Sequence, residues 1–295
     1  MMFKFNFKLQ SIKSSNFSIT VLFLLLNIEV FSQGIQSYEI IIYGATSSGI
    51  IAAIQSSRLG KKVLLIEPGH RIGGLTTGGL GQTDIGNKQA IGGISREFYQ
   101  NIKSYYQKQE NWIWQKRESY KSGGQTTSDS MEDAMWTFEP LAALKVFKNM
   151  IRKEKNITLV YSQRLNRKSG VKKIDGKIAS IQMESGQIYQ SKIFIDATYE
   201  GDLMAATGVS YTVGRESNSQ YGESLNGVQA NNVSLALKKT ISMNAVHHNF
   251  IDGVDPYINK GDPKSGLLPF INPEKIGVEG AGDDKIQAYC YRMTL

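Results

Sequence analysis

The stretch that decides the fold is residues 38–67, YEIIIYGATSSGIIAAIQSSRLGKKVLLIE. Its first six residues form an apolar, β-branched run that is typical of a buried parallel strand. Residues 44–49 are a turn of small residues, and the segment from Ile50 to Leu59 has the spacing of a helix. Residues 63–66 read as a second buried strand. The stretch therefore predicts one compact βαβ unit.

The turn at 44–49 has the composition that the phosphates of a dinucleotide require. Its glycines permit a tight turn and a close backbone approach, and the following helix points its positive end at the turn. Glu67, at the end of the second strand, is placed to accept hydrogen bonds from ribose hydroxyls and disfavours a cofactor with a 2′-phosphate. The alternative is a βαβ unit with a purely structural turn. The predicted binding residues of the turn are Gly44, Ala45, Thr46, Ser47, Ser48 and Gly49, with Thr46 in place of the usual middle glycine.

The segment after Glu67 favours FAD over NAD. It reads PGHRIGGLTTGGLG over residues 68–81, and residues 69–93 contain nine glycines, which predicts a long loop dominated by its backbone. Exposed amides and the cation of Arg71 would meet phosphates and the sugar chain of the cofactor. A glycine-rich surface loop without a ligand is the alternative. The predicted contacts here are Arg71, Gly73, Gly74 and Thr76.

The rest of the chain predicts further helices and strands. Helices are expected over residues 95–106 and 139–154, and a third strand over 157–161. Short turns at 175–176 and 185–186 separate alternating runs, which predicts a β-meander at about residues 170–192. A separate buried strand is expected over residues 193–198.

Several of these segments carry a resemblance to a known family. Residues 38–93, 136–140, 194–202 and 286–292 resemble the FAD-dependent oxidoreductase family of exported bacterial proteins, whose members are similar to glutathione reductase in their FAD-binding fold. The resemblance implies an α/β fold, with a Rossmann-like FAD-binding domain, an inserted β-meander and a mixed α+β substrate domain. It also implies a third backbone contact to FAD at Ala197 and Thr198.

The resemblance also sets the expected domain organisation. We expect an FAD-binding domain at residues 33–206 and a partial substrate or cap domain at 207–295. The family pattern returns to the FAD-binding domain with a last strand that this sequence lacks before Leu295, so we expect a C-terminally truncated form. Asp202 is expected either at the site or as the cap of a helix near Leu203.

Residues 1–32 have the order of a secretory signal peptide. Basic residues at positions 4, 8 and 13 precede an apolar run over residues 17–28, and small residues stand just before Gln33. The run is shorter than the roughly 20 residues that span a bilayer, so we expect export without a stable membrane span.

Composition excludes several other classes of protein. The 295 residues are 41% apolar and 20% charged, which is ordinary for a globular protein. The single cysteine, Cys290, excludes an internal disulfide framework and a thiolate-bound iron–sulfur cluster, and His247 and His248 lack further metal ligands. The net charge is +8, but the basic stretch at 164–177 has no interleaved aromatic residues, so we expect neither nucleic-acid binding nor a metal site.

The expected activity is hydride transfer between FAD and an organic substrate, either a small molecule or a carbohydrate derivative, with an unidentified electron acceptor. The sequence assigns no catalytic acid or base. Two alternatives stay open: a truncated, non-catalytic remnant or binding component, and a redox-neutral lyase of carbohydrate processing with the same fold. Trp112, Trp114 and Trp136 are expected either to pack or to stack on sugars.

Overall fold

The computed structural model describes residues 36–82, 86–120, 132–229, 255–274 and 277–286. The predicted signal peptide at 1–32, the pair His247 and His248, and Cys290 lie outside the described residues. The chain divides into two compact units, one ending at Gly208 and the other beginning at Val209. The predicted site lies in the first unit.

One sheet of six strands forms the centre of the first unit. Its strands are β1 (Gln36–Tyr43), β2 (Val63–Ile66), β3 (Ile157–Val160), β4 (Val171–Ile174), β5 (Lys177–Gln182) and β6 (Ile188–Asp196). The order across the sheet is β3-β2-β1-β6-β5-β4. The first four of these strands in the order are parallel, and β5 and β4 continue the sheet in antiparallel fashion. The structure thus confirms the α/β fold with its β-meander.

Strand β6 differs from the prediction of two separate strands. It is a single nine-residue strand, and Tyr189 pairs with Ile181 of β5 on one side and with Gln36 of β1 on the other. Its pairing with β1 extends from Tyr189 to Asp196 and omits only Lys192, so one strand joins the β-meander to the parallel sheet. The segment from 193 onward was predicted to be buried, but Ile193 is 52% exposed.

Within the part of the first unit that the structure describes, five α-helices accompany this sheet. They are α1 (Ser47–Arg58), α2 (Gly74–Gly78), α3 (Gly93–Tyr106), α4 (Pro140–Arg152) and α5 (Asp202–Ala206). Helix α4 starts after Glu139 with proline in its first position, where a missing backbone N–H costs nothing. Helix α2 corrects the prediction that the glycine-rich segment is loop throughout. Its preceding residue, Gly73, has a φ of +93°, which glycine adopts without strain.

Apolar side chains cover both faces of the sheet. On one face, Ile42 and Leu65 pack in a core with residues of α1, α3 and α4. On the other face, Ile41 and Leu64 pack against a smaller cluster that includes Tyr189. All four residues of β2 are buried, as expected for a parallel strand covered on both sides.

The second unit contains the short helix α6 (Asn218–Tyr221). Arg215 pairs with Asp283 through both a β-bridge and an ion pair of their side chains. That this second unit forms part of a substrate domain stays a prediction. Among the described residues, no helix is long and apolar enough to cross a membrane.

Candidate cofactor-binding site

The candidate site lies where the strand order of the parallel sheet reverses. Strands β2 and β3 extend from one side of β1, and β6 lies on its other side. Ligands of open α/β sheets bind at such a point, beyond the carboxyl ends of the strands. The turn at 44–49 follows β1, and residues 197–198 follow β6, so both predicted segments reach this edge.

Close backbone approach explains the two glycines of the turn. Gly44 has a φ of +98°, and a Cβ atom there would lie 2.8 Å from the carbonyl oxygen of Ala197. A Cβ atom on Gly49 would lie 2.0 Å from the carbonyl oxygen of Gly44. The Ala197 N–H donates to the Tyr43 carbonyl at 2.8 Å and fixes the two segments side by side.

Thr46, which replaces the usual middle glycine, has a structural role. Its buried hydroxyl donates to the carbonyl of Ala197 at 2.7 Å and accepts from the Gly49 N–H at 3.3 Å as the N-cap of α1. It also lies 2.9 Å from the hydroxyl of Ser48. The first-turn amides of α1, at Ser47 and Ser48, face outward from the helix end, where an anion is favoured.

Hydrogen bonds bring the glycine-rich segment against the turn. The Gly73 N–H donates to the Ala45 carbonyl at 2.7 Å. The Ser47 hydroxyl donates to the Gly73 carbonyl at 3.1 Å and lies 2.7 Å from the Thr76 hydroxyl. Four residues predicted from two separate motifs therefore form one connected group.

Glu67 lies half-buried at the same edge of the sheet. Its carboxylate accepts from the Gly69 N–H at 2.7 Å. Burial raises the pKa of Glu67, while hydrogen bonds from the backbone of Gly69 and Ala45 act in the opposite direction. These bonds place the carboxylate beside the glycine turn, as a ribose-binding acid requires.

Arg71 is exposed, and its Nε donates to the Thr77 hydroxyl at 3.4 Å. Thr77 is fully buried and donates to the Ile72 carbonyl at 2.6 Å, which fixes the bend before α2. The guanidinium thus lies on the outer side of the glycine-rich segment. A cation in this position is available to a phosphate.

The prediction did not assign a role to Tyr199. Its hydroxyl accepts from the Leu75 N–H at 2.8 Å, and a Cβ atom on Gly74 would lie 2.1 Å from the same oxygen. Tyr199 directly follows residues 196–198, and this neighbourhood is the signal in the sequence that could have indicated a role for it. Tyr199 links the strand end to helix α2.

Asp196 supplies the carboxylate that accepts a backbone hydrogen bond from the first turn of α5. It accepts from Thr198 through both the N–H and the hydroxyl, and from the N–H of Met204. The alternative that Asp202 caps this helix is wrong, since α5 begins at Asp202 itself and its side chain pairs with Arg167 at 3.2 Å. Thr198 accepts from the Asp202 N–H instead.

The three tryptophans do not form one stacking surface. Trp136 is fully buried beside Ala134, whereas Trp114 is 85% exposed. Trp112 is half-buried and donates from Nε1 to the Tyr106 carbonyl at 2.8 Å. Packing is therefore the role of Trp136.

The fold and the site define a dinucleotide-binding protein of the α/β class. A glycine turn before a helix, a carboxylate at the end of the second strand and a connected glycine-rich segment form a set of donors and one acceptor that fits a dinucleotide. The family comparison gives the particular class: the FAD dependent oxidoreductase family matches residues 39–295, and the chain belongs to that family. FAD is the cofactor for which that family is named.

Comparison with solved structures gives distant similarities. L-proline dehydrogenase from P. horikoshii is 15% identical with a TM-score of 0.38, and the match covers 62% of this chain and 59% of that one. L-amino acid deaminase from Proteus vulgaris is 14% identical with a TM-score of 0.42, over 62% of this chain and 53% of that one. The chain thus matches little more than half the length of either. A comparison with curated proteins finds no match.

Proposed function

We propose that this protein holds FAD at the edge formed by β1, β2 and β6 and exchanges a hydride between the flavin and a small organic substrate. The observation that carries the proposal is the connection of the glycine turn to residues 73–76 through Ser47. That connection joins the two segments whose amides would meet the cofactor phosphates. The flavin supplies the hydride chemistry when it is bound.

Different residues of the chain would contact different parts of FAD. Glu67 would accept hydrogen bonds from the adenosine ribose, and the first-turn amides of α1 would face the pyrophosphate. Arg71 would add a cation on the outer side of the loop. The remaining contacts proposed are backbone contacts at Gly44, Ala45, Thr46, Ser47, Ser48, Gly49, Gly73, Gly74, Thr76, Ala197 and Thr198.

Flavin content tests the binding half of this proposal. The protein is purified, its non-covalent flavin is released by denaturation, and the released molecule is identified by mass. We expect one FAD for each chain. We expect Glu67→Gln to raise the dissociation constant for FAD about tenfold, roughly 1.4 kcal/mol, because the ribose loses a charged acceptor. Glu184→Gln is the matched control, since its side chain is 59% exposed in the β-meander region and should leave affinity unchanged.

Anaerobic reaction with candidate substrates tests the redox half. A substrate that transfers a hydride bleaches the flavin absorbance, and an added acceptor restores it. Protein without flavin would instead favour the non-catalytic alternative. Product formation with no bleaching in single turnover would favour the redox-neutral lyase.

We also propose that the protein is exported and shares the glutathione-reductase-like arrangement of its FAD-binding domain. The order of basic, apolar and small residues in 1–32 supports export. N-terminal sequencing of the protein from its native cells tests this, and we expect the mature chain to begin at Gln33. A chain that retains residues 1–32 would contradict export by cleavage.

A further inference from the structure

A cavity lies apart from the residues proposed to hold FAD. It has a volume of 190 Å³ and lies between the end of α3, residues 111–120 and residues 135–139. The backbone of Phe138, which lines it, donates to the Gly81 carbonyl at 2.8 Å, so one wall is fixed to the end of the glycine-rich segment.

Aromatic rings form a continuous wall of this cavity. The ring centres of Tyr106 and Trp112 are 5.1 Å apart, and those of Trp112 and Tyr120 are 5.5 Å apart. The hydrogen bond from Trp112 Nε1 to the Tyr106 carbonyl holds the indole in place. The electron-rich faces of tyrosine and tryptophan attract cations.

The polar residues that line the cavity, besides its tyrosines and tryptophans, are Asn111, Gln115, Thr137 and Glu139. Glu139 is the only charged residue among the described residues that line it. One carboxylate oxygen of Glu139 accepts from the Tyr106 hydroxyl at 2.7 Å, and burial together with Glu139 raises the pKa of Tyr106, so this hydroxyl stays protonated. The second oxygen has no hydrogen-bond partner within the described part of the chain.

Tyr120 adds a second acceptor. Its hydroxyl is buried and has no hydrogen-bond partner among the described residues. A buried polar group without a partner lowers stability, and a ligand that supplies a donor restores the missing bond. The cavity thus combines aromatic faces, a carboxylate and an unsatisfied hydroxyl.

We propose that this cavity binds a small organic ammonium ion. Its N–H groups would donate to Glu139 and to the Tyr120 hydroxyl, its charge would lie against the aromatic wall, and its apolar substituent would contact Met135 and Phe138. A neutral sugar can donate hydroxyl bonds to the carboxylate but brings no positive charge to the carboxylate or to the aromatic wall, and an anion is repelled by the carboxylate. This binding does not depend on the flavin chemistry.

The proposal is tested by measuring how three probes bind to the purified protein. Calorimetry and tryptophan fluorescence report the binding. The probes are benzylamine, which is protonated at neutral pH, its neutral analogue benzyl alcohol, and methyl glucoside. We expect benzylamine to bind at least about tenfold more tightly than benzyl alcohol, which corresponds to about 1.4 kcal/mol. Measurement with and without bound FAD separates this result from the fate of the proposed cofactor site.

Three variants complete the test. Glu139→Gln should abolish the preference for benzylamine over benzyl alcohol, and Tyr120→Phe should weaken benzylamine binding several-fold. Glu118→Gln, at an exposed position in the same region, is the matched control and should behave as the parent protein. Circular dichroism of each variant reports its folding. Equal binding of the two benzyl probes, tighter binding of methyl glucoside, absence of benzylamine binding, or an unchanged preference in a folded Glu139→Gln variant would each overturn the proposal.

Discussion

The hydroxyl of Thr46 donates a hydrogen bond of 2.7 Å to the carbonyl of Ala197, which lies 151 positions further along the chain. The bond joins the start of α1 to the end of β6. It fixes the relative position of the two segments that flank the point where the strand order reverses. The threonine therefore connects the geometry of the site to the stability of the sheet.

Replacing Thr46 by valine tests this connection. Valine keeps the shape of the side chain but removes the bond to Ala197 and the N-cap of α1. We expect the free energy of unfolding to fall by about 1–2 kcal/mol, because both a buried bond and a cap are lost. Urea denaturation measures it. Thr46→Ser is the control and should retain most of the stability; equal stability of the valine variant would show that the bond contributes nothing.

A Cβ atom at Gly49 has no room in the structure. Gly49→Ala would place it 2.0 Å from the Gly44 carbonyl oxygen, so the turn must shift. We expect a loss of about 1–3 kcal/mol in the free energy of unfolding, together with weaker FAD binding. Gly78→Ala in α2 is the control, since no atom lies within 4 Å of its added Cβ, and a gain of about 0.4–1 kcal/mol is expected there. Similar effects at both positions in thermal denaturation would contradict the steric argument.

The raised pKa of Glu67 predicts a pH dependence of stability. Burial lifts the pKa of this carboxyl in the folded state above its ordinary value of 4.5. The stability that this group contributes is therefore fully present below pH 4.5 and is lost as the pH rises through the higher folded-state pKa. Glu67→Gln removes this loss, so the variant should gain stability relative to the parent protein as the pH rises.

Urea denaturation of flavin-free protein at about pH 4 and about pH 7 measures this difference. Glu184→Gln, a substitution at an exposed carboxylate of the β-meander region, is the control variant and is measured at the same two pH values. A Glu67→Gln variant whose stability relative to the parent protein falls with rising pH would reverse the sign and refute the assignment.

Tyr199 links the end of β6 to α2 through the N–H of Leu75. Tyr199→Phe removes that acceptor and loosens the glycine-rich segment. Because the bond is exposed, we expect a loss of at most about 1 kcal/mol in stability but a several-fold higher dissociation constant for FAD. Fluorescence titration with FAD measures it. Tyr211→Phe, at an exposed tyrosine of the second unit, is the control and should leave the FAD affinity unchanged. An equal rise in the dissociation constant for FAD in both variants would show that Tyr199 has no specific role.

Much of the fold was predictable because it rests on local patterns. The βαβ unit over 38–67, the helix after Glu139 and the hairpin turns of the β-meander follow from hydrophobic periodicity and turn residues. The short helix α2 was not predicted, since a run of glycines opposes helix formation in isolation. Hydrogen bonds to its neighbours, such as that from the Leu75 N–H to the Tyr199 hydroxyl, hold it in the folded protein.

The sequence by itself determined the parallel strands, the glycine turn and the class of cofactor, because strand and turn formation depend on neighbouring residues. Only the tertiary structure decided which distant residues meet: Thr46 with Ala197, Ser47 with Thr76, and Tyr120 with the cavity beside Glu139. Such contacts depend on strand order and on helix packing. These are set by burial of the whole core, and no local pattern in the chain encodes them.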